Sequence, residues 1–124
     1  MSEHYRREWW DRATDVDPEE VREPYYRVVE NRSRQPRVIQ QFDAGHRLIS
    51  TAVIRRRLGR VVRVTLYDGR SRRRAYATCR YNWRGMVQQV ETFDAAGRPQ
   101  VMRLFRRDWL GRLHTVERVT LAGP

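Results

Sequence analysis

The side chains that could do chemistry are one thiol, three imidazoles and a few recurring carboxylates. They are Cys79, His4, His46, His114, Asp43, Asp68 and Asp94. The imidazoles do not lie at the spacing of a metal site, and a single cysteine cannot form a disulfide within the chain. Cys79 and His114 would form a nucleophile pair only if the fold brought them together. We therefore expect no metal ion and no cofactor, and we interpret Cys79 as a small hydrophobic residue in a strand.

The three aspartates recur in one local pattern. Each follows an aromatic residue and precedes a glycine by a few positions, as in Phe42-Asp43 and Phe93-Asp94. A carboxylate in this position accepts hydrogen bonds from nearby backbone N–H groups, and glycine permits positive φ. The recurrence indicates turn capping and not general acid–base catalysis, so we expect a protein that is not an enzyme.

The charge of the chain is strongly positive and unevenly distributed. The sequence has 26 basic residues, all arginine, against 15 acidic ones, a net charge of +11. Residues 1–31 carry five arginines and nine acids (5 − 9 = −4), whereas residues 32–124 carry 21 and six (21 − 6 = +15). Such a surface attracts acidic proteins and nucleic acids, because guanidinium groups bind carboxylates and phosphates in bidentate fashion.

The length of 124 residues corresponds to one ordinary domain. No apolar run is long enough to cross a bilayer, and residues 1–8 lack the apolar region of a secretory signal. We expect a cytoplasmic protein that does not insert into a membrane.

Turn-forming residues recur along most of the chain. Gly59, Gly85 and Gly111 are each 26 residues apart, which predicts units of two strands and two turns. Segments rich in Val, Ile, Thr, Tyr and Phe predict strands at residues 25–30, 37–42, 47–56, 60–67, 72–81, 86–93, 99–107 and 112–121. Because the connections are too short for crossover helices, neighbouring strands must be antiparallel. The predicted fold is mainly all-β: an up-and-down meander of about eight strands, either an open curved sheet or a small barrel.

The first quarter of the chain has a different composition. Tyr5 and Trp9 are spaced as neighbours on one helix face, and Asp17 before Pro18 is typical of a helix start. We expect an acidic, aromatic, helical arm over residues 1–24 and a basic β-meander domain over residues 25–124. The arm either docks into a partner or covers the apolar face of its own sheet.

Residues 93–99 and 108–113 resemble the YD-repeat (Rhs-like) motif, whose units combine an aromatic-Asp pair with a Gly-Arg-apolar turn. Residues 42–48 and 67–70 are looser matches, and the likeness covers roughly residues 37–121. The chain is also similar to the MORN-like and antitoxin-like β-meander repeats. The resemblance implies a meander with a non-enzymatic role and carries over no active site.

Arginine beside aromatic residues is the remaining functional signal. The candidate partner-binding residues are Tyr5, Trp9, Trp10, Arg63, Arg80, Trp83, Arg103, Trp109 and Arg118. Our first hypothesis is a structural or adaptor protein that binds an acidic protein partner, because Trp, Tyr and Arg dominate protein–protein hot spots. The alternative is a module for single-stranded RNA or DNA that uses the same basic face. A third interpretation is a solvated arginine face without a partner.

Overall fold

The computed structural model describes residues 2–121 as one open sheet of nine antiparallel strands in sequence order. The strands are β1 (Ser2–Arg6), β2 (Tyr25–Glu30), β3 (Pro36–Phe42), β4 (Leu48–Arg57), β5 (Arg60–Asp68), β6 (Arg73–Tyr81), β7 (Val87–Asp94), β8 (Pro99–Arg107) and β9 (Leu113–Thr120). Every strand pairs with its neighbours in the chain. The eight predicted strands are thus confirmed to within about one residue at each end, and the sheet is open.

The predicted N-terminal helix is wrong. Residues Ser2–Arg6 form β1, which pairs with β2 through Glu3↔Val29 and Tyr5↔Arg27. A 3₁₀ turn over Arg12–Thr14 and a hydrogen bond from the Val21 N–H to the Asp17 oxygen are the helix-like features between β1 and β2 among the described residues. The helical spacing of Tyr5 and Trp9 is overridden because β2 offers an unpaired edge and its backbone groups need partners.

Six of the hairpin turns share one geometry. In each, an Asn or Asp side-chain oxygen accepts N–H groups from the second and fourth residues after it, and the third residue after it has positive φ. The turns span residues 31–35, 43–47, 68–72, 82–86, 94–98 and 108–112. The β4–β5 turn differs, because Leu58 and Gly59 both have positive φ, at 53° and 79°. A strict 26-residue repeat is therefore not confirmed, since Gly59 occupies another kind of turn than Gly85 and Gly111.

The sheet is a single layer, and its apolar core is confined to the N-terminal strands. Val28, Ile39, Tyr25 and Val21 are buried, with Val28 completely inaccessible. Side chains of the later strands are mostly half-exposed. The chain exposes 8956 Å², whereas a compact monomer of its 15.0 kDa exposes about 7,000 Å². The difference arises because no second layer packs on the sheet within the described residues.

The strand registers define two faces and two ends. Face A carries Val28 and Ile39, and face B carries Tyr25 and Phe42. Alternate hairpins lie at opposite ends of the sheet. The tryptophan end comprises residues 31–35, 58–59, 82–86 and 108–112, and the aspartate end comprises residues 43–47, 68–72 and 94–98.

Candidate partner-binding surfaces

A concave surface lies between two neighbouring hairpins of the tryptophan end. It is an open cleft of about 580 Å³ lined by Trp83, Arg84, Phe105, Arg107 and Trp109, among others. Trp83 is 88% and Trp109 80% exposed. Tryptophan side chains are normally at least partly buried, so two exposed indoles that line one cleft mark a surface that could gain much contact area on binding.

The conformation of the two turns holds these indoles at the surface. Each tryptophan directly follows the capping residue of its turn, Asn82 or Asp108, whose own side-chain oxygen is committed to backbone N–H groups. The indole is therefore held at the outside of the bend. The Arg84 guanidinium lies 5.0 Å from the centre of the Trp83 ring, a cation–π contact that keeps one positive charge beside the indole.

Consecutive hairpins also pack on one another through their glycines. A Cβ on Gly85 would lie 2.8 Å from Cζ of Arg60, and a Cβ on Gly111 would lie 2.7 Å from Cε of Met86. Arg60, which follows Gly59, thus covers Gly85, and Met86, which follows Gly85, covers Gly111. Another residue at Gly85 or Gly111 would have to adopt positive φ, as Arg34, His46 and Ser71 do in the equivalent turns, and would also displace the side chain that covers the glycine.

The electrostatics of the tryptophan end are one-sided. Among its turn residues the one carboxylate is Asp108, which is bound by the Arg112 guanidinium at 2.9 Å. Nε of Arg107 is buried with no hydrogen-bond partner within residues 2–121, while Nη1 of the same residue donates to the Gly111 oxygen at 3.3 Å. The charged residues that line the cleft are Arg84, Arg106, Arg107 and Asp108, so its lining is net positive.

The four predicted strand arginines do not form one site. Arg63 and Arg80 lie on face B, where Arg63 lies 4.3 Å above the Tyr76 ring. Arg103 and Arg118 lie on face A and are direct cross-strand neighbours in β8 and β9. Neither side chain, of Arg103 or of Arg118, makes a hydrogen bond or ion pair with another residue of the range 2–121.

The aromatic residues Tyr5, Trp9 and Trp10 lie in or just after β1, at the opposite edge of the sheet from the cleft. The Tyr5 ring is 6.3 Å from the Tyr25 ring on face B. Trp9 and Trp10 meet edge to face at 5.6 Å, and Trp10 is 63% exposed. The structure therefore separates the predicted partner-binding residues into the cleft, the two sheet faces and this aromatic pair.

A buried ion pair joins β1 and β2 and was not predicted from the sequence. Arg6 and Glu30 are each 2% exposed, and Nη2 of Arg6 lies 2.7 Å from Oε1 of Glu30. Nε of Arg6 also binds Asp15 at 2.9 Å, which ties the segment after β1 back to the sheet. No local sequence pattern predicts this ion pair, because the pair depends on β1, and the spacing of Tyr5 and Trp9 predicts a helix there.

His4 and His46 each contact a hydroxyl group: Nε2 of His4 lies 3.0 Å from Oγ of Ser2, and Nδ1 of His46 lies 2.9 Å from the Tyr25 hydroxyl. No three side chains of the His, Cys, Asp and Glu types are grouped to hold a metal ion among the described residues. Burial raises the pKa of the Cys79 thiol, which favours the protonated form over the thiolate. No helix within residues 2–121 has the length and apolarity to cross a membrane.

Known proteins offer little similarity to this chain. No protein-family model and no curated protein matches it. Among solved structures, the crystal structure of TarM matches with 11% sequence identity and a TM-score of 0.32. The match covers 75% of this chain and only 21% of the TarM chain. A likeness at this level carries no argument about function.

Proposed function

We propose that the protein is a non-enzymatic adaptor that binds an acidic protein partner, with the tryptophan end as the principal contact. The observation that carries this proposal is the positive cleft with two exposed indoles. Tryptophan and arginine are the residues most enriched in interface hot spots, where they desolvate together. A partner that supplies carboxylates would complement the net positive charge of the residues that line the cleft.

The surface area supports the same proposal. The chain exposes 8956 Å², about 1,900 Å² more than a compact monomer of its mass. One side of a standard protein–protein interface buries about 800 Å². The excess is thus large enough to be covered by a partner without any change in the sheet.

Single-stranded nucleic acid is the second candidate, and the exposed indoles favour it specifically. Bases stack on aromatic side chains, while arginines follow the phosphates. Binding of this kind releases counterions, so its affinity falls steeply as salt increases. An acidic protein that fills the cleft with apolar as well as charged groups should depend less on salt.

A fluorescence titration separates the two candidates. Tryptophan emission is followed while the protein is titrated with a 20-residue glutamate-rich peptide or with single-stranded RNA of 20 nucleotides, at several salt concentrations. We expect the peptide to quench emission at physiological salt and the RNA not to, and we expect Trp83→Ala/Trp109→Ala to abolish the change. RNA binding with a steep salt dependence would instead establish the nucleic-acid function.

The 26-residue unit and the YD-repeat likeness remain parts of this proposal. The 26-residue unit is supported by the packing of Arg60 on Gly85 and of Met86 on Gly111, two contacts offset by one unit. If the units are equivalent in binding, Trp83→Ala and Trp109→Ala should weaken peptide binding to similar extents. The exposed Trp10 would then serve as a second contact, separate from the cleft.

A further inference from the structure

The two outer edges of the sheet differ. At β1, the Val16 N–H donates to the Tyr5 oxygen at 2.8 Å and the Arg7 N–H donates to the Thr14 oxygen at 3.0 Å, so residues 14–16 cover the end of this edge near Tyr5. At β9, all eight residues are exposed, and no strand of the described range pairs with its outer side. An uncovered edge is a template for pairing with another chain.

The backbone of β9 has outward-pointing groups in a defined pattern. The Leu121 N–H donates to the Gln100 oxygen at 2.8 Å, directed toward β8. In an antiparallel pair, alternate residues direct both backbone groups toward the neighbouring strand and the others direct them away. Val116, Arg118 and Thr120 therefore present their N–H and C=O groups to the outside.

The side chains along this edge define what kind of strand would fit. Arg118 lies directly opposite Arg103, in the type of pair whose side chains approach most closely. Like charges in this arrangement destabilise a sheet, and neither arginine has a counter-charge within residues 2–121. Two pairs along, Val116 faces Phe105 on the same face A. An incoming strand with a carboxylate beside Arg118 and an apolar residue beside Val116 complements both.

We propose that the β9 edge binds an extended acidic segment of the partner protein by strand addition. The added strand places a glutamate or aspartate next to Arg118 and an apolar residue two positions away on the same face. Main-chain hydrogen bonds to Val116, Arg118 and Thr120 supply affinity, and the two side-chain contacts supply specificity. This inference rests on the proposal that the partner is an acidic protein, and it adds the segment that is bound.

A second copy of this chain is a poorer occupant. A two-fold axis perpendicular to the sheet would pair two β9 strands antiparallel, with the same faces aligned. Because side chains alternate between the faces, each residue would then lie opposite one whose number differs from its own by an even amount. Glu117 and Arg118 differ by one position, so neither can face the other in such a dimer. Self-pairing therefore leaves the charge of Arg118 unmatched.

The test uses the full chain and a nine-residue peptide, acetylated and amidated, of sequence TTVTETVTT. The sequence reads the same in both directions. In either strand orientation, a valine therefore lies two positions to each side of the central glutamate, on the same face. Binding is followed by NMR of the ¹⁵N-labelled protein and by amide hydrogen exchange. We expect the exchange of the Val116, Arg118 and Thr120 amides to slow at least tenfold at saturation. A peptide N-methylated at alternate residues keeps the charge but loses the hydrogen bonds, and should not bind.

A charge swap tests the side-chain contact. Arg118→Glu should weaken binding of the peptide about fivefold and should prefer a peptide with lysine in place of the glutamate. Arg70→Glu makes the same change in net charge at the aspartate end and should leave the affinity unchanged.

Several results would overturn the inference. Equal binding of the N-methylated peptide would show plain electrostatic attraction, and unchanged exchange at the three amides would exclude strand addition. A dimer in sedimentation whose β9 amides are already protected would identify a second copy as the occupant. If the peptide fails to bind while the 20-residue acidic peptide still quenches Trp83 and Trp109, strand addition is wrong and the adaptor proposal stands. If both peptides fail, both proposals are wrong.

Discussion

Substitution of Glu30 tests the ion pair that holds β1 in the sheet. Glu30→Gln removes the carboxylate that contacts Nη2 of Arg6 at 2.7 Å and leaves the arginine charge 2% exposed to solvent. Breaking a buried ion pair by removing one partner costs about 3–5 kcal/mol. We expect a cost near the lower limit, about 3 kcal/mol, because Asp15 still binds Nε of Arg6.

The assay is equilibrium unfolding in urea at neutral pH. Arg6→Met/Glu30→Leu removes both charges at once and should be much less destabilising than the sum of the two single changes, since a buried pair can be replaced by apolar groups at little cost. Glu117→Gln is the matched control, because it breaks an exposed pair with Arg106 at 2.9 Å that should contribute at most about 1 kcal/mol. If Glu30→Gln and Glu117→Gln had equal effects, the pair would not be buried and β1 would not lie where the structure places it.

Three further predictions concern the turns. The backbone N–H of Arg98 lowers the pKa of Asp94, so the contribution of this carboxylate to stability is present above its unfolded-state pKa and is lost as pH falls through the lowered value. Asp94→Asn should therefore be less stable than the wild type at neutral pH and equal to it near pH 2, as measured by thermal unfolding. Leu58→Asn should raise the free energy of unfolding by about 0.5–1 kcal/mol, since Leu58 has positive φ in a two-residue hairpin turn that favours Asn-Gly. Gly85→Ala should lower it by about 1–2 kcal/mol, because the position has positive φ and the methyl group would displace Arg60.

The opposite results would contradict these turn assignments. An equal deficit of Asp94→Asn at neutral and acidic pH would mean that the carboxylate charge is irrelevant. A destabilising Leu58→Asn would mean that the β4–β5 turn has another conformation. A neutral Gly85→Ala would mean that the backbone at Gly85 does not have positive φ.

Most of the strand pattern was predictable because it depends on local chemistry. Stretches of β-branched residues between capping Asp and Asn residues leave few alternatives to hairpins, and those strands lie where the sequence predicted them. β1 was not predictable in this way. Its pairing depends on the edge of β2 and on Arg6 meeting Glu30, contacts between residues 24 positions apart.

The sequence alone also did not predict that Arg103 and Arg118 lie opposite each other. If β8 and β9 paired outward from the turn at residues 108–112 without a bulge, Arg103 would lie opposite Glu117 and form an ion pair with it. The structure has a register shift between Arg106 and Arg107, which moves the pairing by one residue and places Arg118 opposite Arg103. A bulge of one residue thus converts an expected ion pair into two unmatched charges.

Affinity purification from the organism that encodes the chain tests the central claim most directly. Wild-type protein and the Trp83→Ala/Trp109→Ala variant serve as paired baits, with and without ribonuclease, and the retained proteins are quantified by mass spectrometry. We expect an acidic protein to be retained by the wild type alone and not to be released by ribonuclease. Retention of the same proteins by both baits, or loss of the bound material on ribonuclease treatment, would contradict the adaptor function.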